Sequence, residues 1–125
     1  MIIELSYPNK NLMPNRKNGK HWGATVNDKS VANYEAYIIT KLRVNAYNPL
    51  INQDELIPLT INFVQADNRK RDLDNLLAAS KASIDGIAKG LGIDDRLFEP
   101  ITLMRSKDTE SKMIVKLELE RLNHE

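Results

Sequence analysis

LIPLTINFVQADNRKRDLDNLLAASKASIDGIAKGLGIDDR, residues 56–96, holds the change of period that decides the fold. Residues 56–65 alternate, with Ile57, Leu59, Ile61 and Phe63 on one face, the pattern of a strand with one side buried. From about Asp74 to Lys89 the spacing becomes helical, and Leu73, Leu76, Leu77, Ile84 and Ile87 supply the apolar stripe. Gly90 and Gly92 close this helix, because glycine accepts the left-handed conformation that a helix end often needs. The polar segment between strand and helix is therefore expected at one end of a sheet.

The flanks complete the pattern. Residues 2–7 (IIELSY) read as a short strand. Residues 8–28, with two prolines, two glycines and five asparagines, read as a long basic loop, a kind of segment that is usually functional or mobile. A helix capped by Asn27-Asp28 or Ser30 is expected to run to about Ala46, with Val31, Tyr34, Ile38 and Leu42 along one side, until Asn48-Pro49 stops it. Residues 98–105 and 112–121 read as a hairpin around the polar turn Lys107 to Ser111, with Met113, Val115, Leu117 and Leu119 pointing inward. The order β-α-β-α-β-β predicts one α+β domain over residues 1–125: a mixed sheet with two main helices, and not a nucleotide-binding repeat.

Composition narrows the function classes. With 125 residues and 42% apolar content the chain can build one core. Its net charge of +1 gives no sign of a polyanion partner, but the distribution is uneven. Residues 8–45 carry seven Lys/Arg against Asp28 and Glu35, and residues 67–96 mix six charges of each sign. The absence of cysteine excludes disulfides, thiolate metal sites and a cysteine nucleophile. His21 and His124 are too few for a typical zinc site without several carboxylates. No apolar run reaches the roughly 18 residues of a membrane span, and no basic n-region opens the chain, so a cytoplasmic protein is expected.

The densest chemistry lies in DNRKRDLDN and the helix that follows. Asp72 and Asp74 are two apart, so in an extended segment both carboxylates project the same way. Asp94-Asp95 follows the helix and is placed to return to the same end of the sheet. Three or four converging carboxylates would repel one another without a cation, and magnesium suits such a hard oxygen set. Asp74, Ala78, Lys81 and Asp85 fall in one narrow stripe, which sets the Lys81 ammonium two turns above the acidic pair, where it could hold a phosphate oxygen. Arg69, Lys70 and Arg71 precede the pair and suit phosphate contacts. Bland readings stand beside these. Asp74 equally suits a helix cap, Lys81 and Asp85 an ordinary surface pair, and Asp94-Asp95 a turn.

RKRDLDN followed by LLAASKASIDGIAKGLGIDD resembles the signature of the RusA family of Holliday junction resolvases: a basic run, Asp-x-Asp-Asn, a helix with one lysine and one aspartate, a glycine and paired aspartates. The resemblance covers residues 67–96. It implies a RusA-like fold, Asp72, Asp74 and Asp95 as magnesium-binding carboxylates, and Lys81 as the catalytic lysine. In the family's best-known member the lysine sits one turn after the second aspartate, whereas Lys81 follows Asp74 at seven residues, which returns to the same helix face. The N-terminal MPNRKNGKHWG is similar in kind to the family's basic, Pro- and Asn-rich opening. Arg16, Lys17 and Lys20 there are expected DNA contacts, with Arg69, Lys70 and Arg71. The implied activity is magnesium-dependent hydrolysis of branched DNA, with a four-way junction as substrate and a homodimer making two matched cuts. Two rivals are a magnesium phosphohydrolase for small phosphate esters and a non-catalytic protein that binds branched DNA.

Overall fold

The computed structural model describes residues 1–14 and 22–122. It is a single α+β domain whose four-stranded mixed sheet runs β1 (Ile2–Leu5), β4 (Lys112–Leu117), β2 (Leu59–Gln65), β3 (Ile101–Lys107). Helices α1 (Trp22–Tyr47), α2 (Leu73–Ala79) and α3 (Lys81–Leu91) complete it.

Alternation decides which sheet face they cover. Ile3 and Leu5 of β1, Met113, Val115 and Leu117 of β4, and Leu59, Ile61 and Phe63 of β2 are all buried on one side. Leu76, Ile84, Ile87 and Leu91 of the helices close the core against them. At about 25 cal/mol per Å² of apolar surface removed from water, this shared layer is the main term holding sheet and helices together.

The expected hairpin does not form. β2 lies between β3 and β4, parallel to β3 and antiparallel to β4. The pattern of exposure gives the reason: β3 is solvated along most of its length, whereas β2 is buried at five of seven positions. Pairing β3 with β4 would leave Ile61 and Phe63 on an edge and carry Thr102, Arg105 and Ser106 inside, so the apolar strand takes the interior place.

Helix α1 begins by Trp22, earlier than the Asn27-Asp28 or Ser30 cap expected. Asp28 instead accepts a hydrogen bond from Asn11 Nδ2 (3.0 Å), tying the helix to a 3-10 turn at Lys10–Leu12. Asn48 ends α1 in the left-handed region (φ 56°), next to Pro49, as expected of that pair. The stripe of Val31, Tyr34, Ile38 and Leu42 faces solvent, with Tyr34 65% exposed. The buried side carries the small residues Ala36 and Thr40 because α3 comes very close there. A Cβ added to Gly86 would lie 2.3 Å from the Asn33 carbonyl oxygen, and one on Gly90 would lie 2.7 Å from Thr40 Cβ. Gly90 is thus a packing glycine within α3 and does not close it; Gly92 alone ends the helix, at φ 75°.

The single helix expected over residues 74–89 is divided at Ser80. Its hydroxyl donates to the Leu77 carbonyl (2.9 Å), and its backbone N–H is shared between the carbonyls of Leu76 and Leu77. This back-bonding bends the path without breaking contact between the two segments.

Candidate functional site

Residues 66–72 connect the end of β2 to α2, and a short chain of contacts fixes them. Tyr7, just past β1, donates its hydroxyl to Gln65 Oε1 (3.0 Å), and Gln65 Nε2 donates to the Arg69 carbonyl (2.8 Å). Arg71 donates from both terminal nitrogens to the Asp67 carboxylate, at 2.9 and 3.1 Å, and its guanidinium lies 5.5 Å from the centre of the Tyr7 ring. Asp67 is held below its usual carboxylate range by the Arg71 hydrogen bond first, then by the Arg69 backbone N–H. Burial raises the Tyr7 hydroxyl above its usual value, against the pull of Arg71. Arg71 is therefore largely engaged in holding the loop, whereas Arg69 and Lys70 are exposed.

At the end of this loop Asp72 is the N-cap residue of α2, yet its side chain makes no capping bond. Asp74 follows in the first turn. Both are exposed, and neither has a side-chain hydrogen bond or ion pair with another of the described residues. The bland expectation that Asp74 caps the helix therefore does not hold. Lys81, the first residue of α3, is likewise exposed; it makes no close ion pair among the described residues, although its charge acts on Asp85.

Asp74, Ala78, Lys81 and Asp85 are all exposed, two on α2 and two on α3, and make up the outer ridge of this helix pair. Its far end carries a second acidic group. Asp94 caps a 3-10 turn by accepting from Arg96 N (3.0 Å), which lowers its carboxyl below the usual range. Asp95 lies close to both Asp94 and Asp85. Burial, followed by the hydrogen bond with Asp95, raises the Asp85 carboxyl above its usual value.

The ridge separates the two acidic ends. Asp74 and Asp85 stand eleven residues apart on different helices, Asp74 in the first turn of α2 and Asp85 within α3. Among the described residues no group of three or more His, Cys, Asp or Glu is placed to hold a metal ion. Within one chain, Asp95 therefore does not join Asp72 and Asp74, and this donor set does not fit a magnesium ion unless another copy completes it. Ala79, Ser80 and Ser83 are buried, while Ala78 is exposed on the ridge.

Two open clefts of about 390 and 520 Å³ meet at Arg69, Lys70 and Asp72. Lys10 lines the first, and Arg105 and Lys107 of β3 line the second. Sequence reading passed over these three cations. A signal existed for two of them, because Arg105 and Lys107 follow Ile101 and Leu103 at alternate positions on one face of the strand; the register with Phe63 and Gln65 makes that the helix-bearing face. Arg16, Lys17 and Lys20 lie outside the described residues, as do His21 and His124. No helix among the described residues is long and apolar enough to cross a membrane.

No established family profile matches the chain. It is 32% identical over 114 residues to an uncharacterized protein of Xylella fastidiosa (strain Temecula1), covering 90% of this chain and 72% of the Xylella protein. The chain belongs to that protein's family. The match takes in most of both chains. The Xylella protein's description assigns it no activity, so the chemistry of this family must be argued from the ridge and the clefts.

Proposed function

We propose that this protein is a magnesium-dependent endonuclease of branched DNA, with the four-way junction as its preferred substrate, acting as a RusA-like homodimer. The observation that carries the reading is the pair Asp72 and Asp74: two exposed carboxylates, unpartnered among the described residues, of which Asp72 lines both basic clefts and Asp74 follows in the first turn of α2. Carboxylates beside a phosphate path repel the substrate unless a cation intervenes, and a hard divalent ion suits oxygen donors of this kind. Magnesium, when bound, neutralises the carboxylates and polarises the scissile phosphate. Arg69 and Lys70 hold the DNA backbone beside them. The Lys81 ammonium, on the same ridge, stabilises charge that develops on the phosphate.

Asp95 enters the set only if two copies assemble. A two-fold axis passing near Ala78 and Lys81 would bring Asp72 and Asp74 of each copy to the Asp85–Asp95 end of the other, forming two equivalent sites. Three features support this arrangement. The ridge is exposed from end to end, Ala78 places only a methyl group at its middle, and Val31, Tyr34, Ile38 and Leu42 leave an apolar stripe exposed in the same helical layer. Two equivalent sites also suit a junction that needs two matched cuts.

The test is cleavage of a labelled four-way junction in magnesium by wild type and Asp74→Asn. Wild type is expected to nick strands near the crossover. Asp74→Asn is expected to lose nicking while binding the junction at least as tightly, because a charge that repels phosphate is gone. Wild-type binding without cleavage would overturn the reading in favour of a non-catalytic branched-DNA binder. Phosphate release from small esters, with no junction nicking, would overturn it in favour of a phosphohydrolase.

A further inference from the structure

We infer that the edge strand β3 carries part of the DNA path: Arg105 and Lys107, with Lys10 across the loop, extend the phosphate-binding surface of Arg69 and Lys70 into one continuous track past Asp72. The inference rests on the nuclease reading above and adds residues to it that neither the acidic motif nor its basic run contains.

Three observations carry it. First, the two clefts share Arg69, Lys70 and Asp72, so the surfaces bearing Lys10 and the β3 cations are continuous. Second, charge along the track is one-sided. Of the acids lining the clefts, Asp67 is matched by Arg71, which leaves Asp72 alone against Lys10, Arg69, Lys70, Arg105 and Lys107. Concentrated positive charge with open access to solvent is the electrostatic footprint of a polyanion, not of a small enclosed ligand. Third, the β3 cations are anchored without being neutralised. Arg105 Nη1 donates to the Arg71 carbonyl, and Lys107 Nζ donates to Asn68 Oδ1. Neither contact is with a carboxylate, so both side chains are held in place with their charge available. Alternate residues of a strand stand about 6.6 Å apart, a step comparable with that between neighbouring phosphates on one DNA strand. Because β3 is an edge strand exposed along most of its length, it is open among the described residues to a backbone laid along this side.

The ligand is therefore a phosphodiester chain, held by charge and without reading of sequence. The experiment is a titration of the full chain with a fluorescein-labelled four-way junction. Binding is read as anisotropy in EDTA, so that no cleavage occurs, over a series of sodium chloride concentrations. Arg105→Gln/Lys107→Gln is expected to weaken binding about tenfold at low salt and to flatten the plot of log K against log salt by about one to two units. Lys107→Gln alone gives the smaller change of the same sign, and it guards against misfolding because Lys107 is exposed and its side chain bonds to Asn68 at the surface. Lys116→Gln, exposed on β4 beside Thr60 and away from the clefts, is expected to leave both readings unchanged. If wild type binds while Lys107→Gln and the double variant match it in affinity and salt slope, the track is overturned and the nuclease reading stands. If wild type binds no DNA, the nuclease reading fails and the track fails with it.

Discussion

At the scale of single residues, much of the candidate site depends on side chains that never meet the substrate. Gln65 is buried, takes the Tyr7 hydroxyl on one atom and gives a hydrogen bond to the Arg69 carbonyl with the other. Arg71 and Asp67 then fold the loop onto itself, so that Arg69, Lys70 and Asp72 are presented on a braced segment. A pH dependence follows. The folded state holds the Asp67 carboxyl below its ordinary value of 3.8, so its contribution to order is complete above that value and is lost as pH falls through the lower folded value. Carboxyl NMR titration is expected to show Asp67 ionising below its ordinary range in wild type. Arg71→Gln should return it toward that range, and an Asp67 titration left unmoved would remove the clamp. The acidic motif was legible in the sequence because Asp72 and Asp74 carry their signal in spacing alone. The split of roles in the basic run was not legible. Nothing in RKR distinguishes Arg71, bound to Asp67 and lying near Tyr7, from its exposed neighbours until the distant Tyr7 arrives.

At the scale of elements, the contact between α1 and α3 organises the helical layer. Gly86 and Gly90 let α3 approach Asn33, Ala36 and Thr40 so closely that neither position tolerates a side chain. Gly86→Ala, which would set a Cβ 2.3 Å from a backbone oxygen, is expected to destabilise the fold by about 1–3 kcal/mol in urea or thermal unfolding. An unchanged midpoint would mean that the helices separate readily. This contact also explains one clear difference between sequence and structure. A helix that packs through Ala36 and Thr40 leaves its larger residues elsewhere, so the stripe of Val31, Tyr34, Ile38 and Leu42, although truly periodic, marks an exposed face. Periodicity reports that a face exists and not which neighbour covers it. The false hairpin has a similar origin. Two short strands near the C-terminus satisfy the local pattern, but their pairing is decided by competition with β2, whose Leu59, Ile61, Phe63 and Val64 need the interior. The alternation of β4 and the β-α-β-α-β-β order needed no such competition and were readable directly.

At the scale of the whole molecule, helices cover one face of the sheet, and the acidic residues occupy two ends of a single exposed ridge. Sequence reading placed Asp72, Asp74, Lys81 and Asp95 in one constellation and read Asp74, Ala78, Lys81 and Asp85 as one stripe, all four of which are exposed. It could not supply the length of the ridge, which keeps Asp95 beside Asp85 and away from Asp72. The proposed enzyme therefore depends on two copies meeting along that line. The decisive measurement is magnesium-dependent nicking of a four-way junction by Asp72→Asn and Asp95→Asn, each alone and then mixed. If each site draws Asp72 from one copy and Asp95 from the other, the single variants are inactive, and mixed dimers regain one intact site and nick the junction. Two inactive variants that stay inactive when mixed, under conditions where their subunits exchange and wild type cuts, would contradict the shared site.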